Sequence, residues 1–221
     1  LELWVGMIAA YREEFGEDIP RAMHCGLCGQ IAVETGHGQH THNFEIGNKK
    51  ATPKFQGLTQ YFRCNEIIDG KLKWFDPFNP GCCFRAWRRL PPAIQAQLRF
   101  LGRATTGTGK PNRYARAWDA VRRGDWTAYS WELSAAVYYT ASRDLYTKAL
   151  VQVAGHFDRT MPRTADIEIP AHVTDPAVLQ PTTGHSPFSN ADLAHILSLQ
   201  LPLTIDWDAL RAERDMALED S

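Results

Sequence analysis

The sequence predicts an α+β protein that is mostly α-helical, with one small β region between helices. Apolar residues recur at helical spacing from Leu1 to Phe15 and again in the following segment. The helical period disappears between Phe44 and Phe84, where two strand-like runs flank an Asp-Gly pair typical of tight hairpin turns. Helical spacing returns from Pro91 onward. With 44% hydrophobic and 22% charged residues, the 221-residue chain can bury a sizeable core.

The composition also excludes several classes of function. A formal net charge of −1 gives no overall attraction to nucleic acid. No apolar run is long enough to cross a bilayer, and the first residues lack the basic start of a signal peptide. We therefore expect neither a nucleic-acid partner nor a membrane span.

Two helices are predicted before residue 35. The first begins at Leu1, and the second is expected to be capped by Asp18, with Pro20 in its first turn. The inward stripe of the second helix consists of Ile19, Met23, Leu27 and Ile31.

Glu34 extends this apolar stripe, because it lies seven residues, or about two turns, after Leu27. The negative end of the helix dipole and the apolar neighbours both disfavour ionisation, so the pKa of Glu34 is expected to be raised. Such a carboxyl group can act as a general acid near neutral pH. Gly36 and Gly38 are expected to take left-handed backbone and end the helix. The alternative is a glutamate that pairs with an arginine or caps a turn.

The rest of the chain divides at about residue 158. Four helices are predicted in the stretches "PPAIQAQLRFLGR", "RYARAWDAVRR", "DWTAYSWELSAAVYY" and "SRDLYTKALVQVAGHF". After Phe157 the chain becomes rich in Pro and Thr. We predict one domain over residues 1–158, followed by a C-terminal arm over 159–221 with an extended segment and two short helices.

Neither the cysteines nor the histidines predict a metal site. Cys25 and Cys28 have the spacing of zinc ligands, but Cys82 and Cys83 are adjacent and poorly spaced for a tetrahedral site, so buried thiols are expected. The loop after Glu34 carries three histidines, interpreted as hydrogen-bonding groups rather than metal ligands: His37, His40 and His42. No metal and no cofactor are therefore expected.

Four motifs, in order, resemble those of the glucosaminidase-type peptidoglycan hydrolases of glycoside hydrolase family 73. "AVETGHGQHTHNFEIGNKKA" resembles the family's "ALETGWGxS…NNxFGIKA", and "RCNEIIDGKLKWFDPFNPGCCFRAW" resembles "TTEYxNGxxxxxxxxFRxY". "GKPNRYARAW" is similar to "RYxxAL", and "AAVYYTASRDLYTKAL" to "GYATDPxYAxKL". The chain departs from the pattern at His37, where the family has Trp, and at Lys49, where an apolar residue is usual.

This resemblance implies a lysozyme-like fold, in which a helical lobe and a β-hairpin lobe flank a glycan-binding cleft. It implies cleavage of the β-1,4 bond after N-acetylglucosamine, with Glu34 as the general acid and Glu66 as the second glutamate. Tyr139 matches the family's tyrosine, with Tyr138 as a close alternative, since Tyr146 is one residue out of register. The residues assigned to substrate binding are His37, Asn43, Asn48, Tyr138 and Trp87.

Several alternatives stay open at this point. Glu66 could activate water in an inverting reaction, or the substrate's acetamide could attack while Tyr139 steadies the charge. The same cleft suits a muramidase or a lytic transglycosylase, and a wall-binding module without chemistry is a further alternative. The resemblance implies a location in the periplasm, in the cell wall or outside the cell, and the arm is expected to attach the protein to a secretion or phage-tail assembly.

Overall fold

The computed structural model describes residues 2–38, 41–68, 71–103, 109–139, 141–163 and 167, with backbone only for residues 65–67. The helices in these ranges are α1 (Glu2–Phe15), α2 (Arg21–Glu34), α3 (Leu90–Gly102), α4 (Ala115–Arg122), α5 (Trp126–Ala135) and α6 (Arg143–Thr160). The strands are β1 (Thr59–Tyr61), β2 (Cys64–Ile68), β3 (Lys71–Phe75) and β4 (Cys83–Arg85), with a short 3-10 helix at Pro80–Cys82. The predicted mostly α, α+β class is confirmed.

Helix α2 lies at the centre of the helical part and packs along α6. Met23, Leu27 and Ile31 of the predicted inward stripe are buried on α2, and Ile19 is buried as well but precedes the helix. Gly29 allows the two helices to approach closely: a Cβ atom at this position would lie 3.2 Å from the backbone nitrogen of Ala154.

The two ends of α2 differ in how well they were predicted. At its start the prediction of an Asp18 cap is wrong, because Pro20 occupies the N-cap and Asp18 accepts a 2.6 Å hydrogen bond from Arg12. At its end the helix stops at Glu34, as predicted. Gly36 and Gly38 have φ angles of 54° and 84°, which confirms the left-handed turn.

The β part contains two small antiparallel sheets. Strands β2 and β3 form the predicted hairpin, with Cys64 opposite Phe75 and Ile68 opposite Lys71, whereas its turn at 69–70 lies outside the described residues. Strands β1 and β4 form a second pair that the sequence did not reveal, since three-residue strands are too short to show a period of two. The rings of Phe62 and Phe84 stack 4.0 Å apart beside this second sheet.

Helix α5 is shorter than its apolar pattern predicted. The predicted helix reaches Tyr139, but α5 ends at Ala135. Val137 has φ 54°, its N–H donates to the Ser134 carbonyl, and the Tyr138 N–H donates to the Leu133 carbonyl, which together form a Schellman cap. Tyr138 and Tyr139 therefore lie on the loop before α6 rather than on a helix.

The end of the described chain packs on the helical part. Helix α6 continues past residue 158 to Thr160, Met161 is buried, and Ile167 packs against the core. The division at residue 158 stays a prediction, and residues 168–221, which include most of the arm, lie outside the described residues. Of the helices that the structure describes, none is both long and apolar enough to span a bilayer.

Candidate active site

A cleft of about 990 Å³ lies between the helical part and the β part. This is the arrangement expected of a lysozyme-like fold. One side, here called the acid wall, is formed by Glu34, Asn48, Tyr138, Tyr139 and Tyr146. The opposite side, here called the hairpin wall, is formed by Arg63, Cys64 and Trp74.

Glu34 is held by one donor on each carboxylate oxygen. The Tyr146 hydroxyl donates to Oε1 over 2.7 Å, and the Asn48 amide donates to Oε2 over 3.1 Å. The same Asn48 nitrogen also donates to the Glu34 carbonyl oxygen over 3.0 Å. Asn48 therefore ties the loop that follows α2 to the last residue of that helix.

The electrostatics of the site favour a protonated Glu34. Burial raises the pKa of Glu34 above its ordinary value, and this effect exceeds the opposing effects of the hydrogen bonds from Tyr146 and Asn48 and of the Lys49 charge. The shift is in the direction that the helix position predicted. A carboxyl group that faces a cleft and holds its proton to higher pH can donate it to a ligand.

Tyr146 is the contact that the sequence reasoning missed. It lies in the first turns of α6, is buried, and its pKa is raised well above the usual range by burial and then by Glu34. The Tyr146 hydroxyl therefore keeps its proton and can donate a hydrogen bond to Glu34. The motif did not select it, because Tyr146 stands one residue out of register with the second tyrosine of the resembled motif.

Tyr139 supports Tyr146 rather than the acid. Its ring stacks on that of Tyr146 at 3.8 Å and 13°, and its hydroxyl donates to the Ser130 carbonyl over 3.0 Å. Tyr138, the other candidate, donates to the Gly47 carbonyl over 3.0 Å and accepts a 3.1 Å hydrogen bond from Gln97. Both tyrosines are among the residues that line the cleft.

A buried ion pair lies beneath the acid wall. Lys49 Nζ is 3.1 Å from Glu45 Oε1 and donates to Gln97 Oε1 over 2.6 Å, with Lys49 only 5% exposed. Glu45 also accepts hydrogen bonds from the backbone N–H of Gly47 and from the indole N–H of Trp87. Burial lowers the pKa of Lys49, and Glu45 opposes that shift. The lysine that departs from the family pattern thus anchors the loop carrying Asn48.

Three residues that the resemblance assigned to substrate binding, Asn43, Trp87 and His37, contact other parts of the protein outside the cleft. Asn43 donates to Gln60 over 2.8 Å and its carbonyl accepts from the Trp87 backbone N–H, while the Trp87 indole holds Glu45. His37 has φ 57°, its N–H donates to the Ala32 carbonyl, and burial followed by the His156 charge lowers its pKa. Among the described residues that line the cleft, Asn48 and Tyr138 are present, but these three are not.

Glu66 lies in the middle of β2, opposite Lys73. Its side chain is outside the described part of the chain, and so is His40. The role assigned to Glu66 stays a prediction.

The cysteines of α2 are buried, as predicted. Burial raises the pKa of Cys25 to about 12 and that of Cys28 well above the usual range, so both remain thiols. Within the described ranges, no group of three or more His, Cys, Asp or Glu side chains is arranged to hold a metal ion.

Two solved structures are similar to this chain. One is a C-terminally truncated glycoside hydrolase domain from Salmonella typhimurium FlgJ, with a TM-score of 0.48 and 17% identity, over 72% of this chain and 95% of that one. The other is a peptidoglycan hydrolase mutant from Sphingomonas sp. A1, with a TM-score of 0.46 and 21% identity, over 66% of this chain and 92% of that one. No protein-family model matches the sequence, and no curated protein matches it.

Proposed function

We propose that this protein is a peptidoglycan hydrolase that cleaves the β-1,4 bond after N-acetylglucosamine, with Glu34 as the general acid. The observation that carries the proposal is the state of Glu34, a carboxyl group in a cleft with a raised pKa and a donor on each oxygen. The four ordered motifs favour a glucosaminidase over other reactions of a protonated carboxyl group.

In this mechanism Glu34 gives its proton to the glycosidic oxygen as the bond to the anomeric carbon breaks. The carboxylate that remains is then stabilised by the hydrogen bonds from Tyr146 and Asn48 and by the Lys49 charge. These three groups lower the pKa of Glu34, so they favour the state that follows proton transfer. Burial favours the state that precedes it.

The second half of the reaction has two routes. A water molecule activated by Glu66 would give inversion, which requires carboxyl groups about 6.5–9.5 Å apart. Attack by the acetamide of the substrate would give retention. Proton NMR of the anomeric configuration in the first product distinguishes the two routes.

The substrate also implies a location and a partner. An enzyme of peptidoglycan acts in the periplasm, in the cell wall or outside the cell, and we propose that the arm over residues 159–221 attaches it to a secretion or phage-tail assembly. A variant truncated at residue 158 that keeps both activity and assembly state would contradict this role for the arm.

The test is digestion of purified peptidoglycan by the wild type and by Glu34→Gln, followed by mass spectrometry of the reduced fragments. We expect reducing-end N-acetylglucosamine from the wild type, and a rate lower by about 10²–10⁴ in the variant, as for the loss of a general acid. Glu132→Gln is a matched control, since Glu132 lies on α5 and is not among the described residues of the cleft.

Each other outcome assigns a different function. Muramic-acid reducing ends would indicate a muramidase, and anhydro ends a lytic transglycosylase. A wild type that binds peptidoglycan of several chemotypes and releases no fragment would indicate a binding module.

A further inference from the structure

Two thiols outside the proposed mechanism face each other across the base of the hairpin wall. The Sγ atoms of Cys64 and Cys82 lie 3.9 Å apart, and neither residue forms a disulfide. Cys64 begins β2, and Cys82 ends the 3-10 helix that leads into β4. The two residues are 18 positions apart in sequence, with the whole β2–β3 hairpin between them.

The surroundings differ for the two sulfur atoms. Cys64 is half-buried and lines the cleft, so a molecule that enters the cleft can reach it. Cys82 is fully buried behind it. Lys50 Nζ donates to Cys64 Sγ over 3.3 Å and to the Gly81 carbonyl. The ammonium group can pair with the negative charge that develops on this sulfur during thiol–disulfide exchange.

We propose that Cys64 and Cys82 form a reversible disulfide through exchange with an external disulfide, either a small molecule or an oxidised dithiol protein. The Cys64 sulfur attacks one sulfur of the oxidant, which forms a mixed disulfide and releases the first thiol. Cys82 then attacks Cys64 Sγ, which forms the internal disulfide and releases the second thiol. The oxidant takes up two electrons and the two protons of the cysteines, so the exchange is balanced.

The order of attack follows from accessibility. Burial, and then the hydrogen bond with Cys64, raises the pKa of Cys82, so this residue remains a thiol and is shielded from the oxidant. It needs to react only with the adjacent Cys64 once the mixed disulfide exists. Compartments outside the cytosol, where a wall hydrolase would act, favour such bonds.

The other three cysteines are unsuited to this pairing. Cys83 lies opposite Tyr61 in the β1–β4 pair. Cys83 belongs to β4, whereas Cys82 ends the 3-10 helix, and the sulfur contact of Cys64 is with Cys82. Cys25 and Cys28 are buried within α2.

The bond would fix the hairpin wall. Sulfur atoms 3.9 Å apart must approach to about 2.05 Å, which needs only a small movement of the two loop ends. The closed loop contains β2 and β3, and with them Trp74. Oxidation is therefore expected to restrict the movement of the hairpin wall and to leave the structure of the acid wall unchanged.

The experiment treats the reduced full-length protein with oxidised glutathione, then counts thiols under denaturing conditions and maps disulfides by non-reducing peptide mass spectrometry. From five cysteines, we expect three thiols to remain and the bond to join Cys64 to Cys82. The matched control Cys83→Ser should still lose two thiols. In Cys82→Ser, a glutathione adduct should persist on Cys64.

Thermal unfolding provides a second measurement. The oxidised wild type should have a Tm about 5–10 °C above that of the reduced protein, as expected for closing a loop of this length. The Tm of Cys82→Ser should not rise with the oxidant. Five remaining thiols in the wild type, a persistent adduct on wild-type Cys64, or a bond to Cys83 would each overturn the proposal. None of these measurements depends on cleavage of a glycan, so they stand apart from the test of the proposed function.

Discussion

The two walls of the cleft are built in opposite ways. On the acid wall, Glu34, Asn48 and Tyr146 come from α2, the following loop and α6, and they are joined by hydrogen bonds of 2.7–3.1 Å. On the hairpin wall, Trp74 is 51% exposed and its ring is contacted by the exposed Arg63, 4.6 Å away. The side chains of the acid wall are therefore held in place by hydrogen bonds within the protein. Those of the hairpin wall would be fixed only by contact with a bound substrate.

This difference suggests that the acid wall carries out proton transfer and that the hairpin wall contacts the sugars. Groups that move a proton need fixed geometry before the substrate arrives, which a network of hydrogen bonds within the protein provides. Groups that contact successive sugars benefit from adaptability, and exposed aromatic and cationic side chains provide that at little cost in stability. Each prediction below changes one of the two walls or the ion pair beneath the acid wall.

The largest effect on stability is expected for Lys49→Met. The change leaves Glu45 buried without its cation, which is expected to cost about 3–5 kcal/mol of unfolding free energy. Urea denaturation measures this loss. Arg63→Met on the hairpin wall removes an exposed ion pair with Asp76 and should cost about 0–1 kcal/mol.

A double variant separates charge from packing in this prediction. Adding Glu45→Gln to Lys49→Met removes the unpaired charge and should recover part of the loss. Equal, small losses for Lys49→Met and Arg63→Met would show that the two walls do not differ in this respect.

Tyr146→Phe is expected to have the next largest effect. Loss of a hydrogen bond to a charged group is worth about 1.5–3 kcal/mol, so kcat should fall about 10- to 100-fold. The hydroxyl lowers the pKa of Glu34, so its removal raises that pKa further. The basic limb of the profile of kcat/KM against pH should consequently move to higher pH.

Tyr139→Phe is the matched control for Tyr146→Phe. Its hydroxyl is bonded to Ser130, so the basic limb should stay in place. A shift of the basic limb in Tyr139→Phe, with none in Tyr146→Phe, would indicate that Tyr139, which the sequence motif matched, is the tyrosine that acts on Glu34.

Glu34→Gln should change stability in a pH-dependent manner. The folded state holds the Glu34 proton more tightly than the unfolded chain does, so ionisation above the ordinary pKa of 4.5 weakens the folded state. The variant avoids this loss, and its Tm should exceed that of the wild type at neutral pH. Below about pH 4.5 the difference should shrink, and calorimetry across pH 4–8 measures it. A difference in Tm that grows as the pH falls would contradict the raised pKa.

Trp74→Ala should have the smallest effect on the fold and a modest one on binding. The side chain is half-exposed and lines the cleft, so the Tm should change little. We expect KM for glycan fragments to rise about threefold to tenfold with kcat almost unchanged, because uniform binding is lost. A large fall in kcat would mean that the hairpin wall takes part in chemistry.

The sequence predicted the features that depend on local periodicity. The phase of α2 placed Glu34 at the end of its apolar stripe, and the glycines after it took the expected left-handed backbone. The end of α5 could not be predicted in this way, because Val137 adopts a left-handed backbone that is rare for a β-branched residue.

The contacts that orient the acid depend on tertiary structure. Tyr146 reaches Glu34 across 112 positions of sequence, and no local pattern selects it over Tyr139. The Glu45–Lys49 pair has helical spacing but lies in a loop, so its burial follows from the packing of Gln97 and Trp87 around it. Asn43 and Trp87 matched a motif, yet the structure uses them to hold that loop.

The close approach of α2 and α6 at Gly29 has a consequence for proton affinity. Glu34 and Tyr146 belong to these two helices, and Gly29 lies five residues before the acid on α2. An added methyl group 3.2 Å from Ala154 would push the helices apart, and the 2.7 Å bond from Tyr146 would lengthen with them. A residue with no polar atom in its side chain thus influences, through the spacing of two helices, one of the hydrogen bonds that lower the pKa of Glu34.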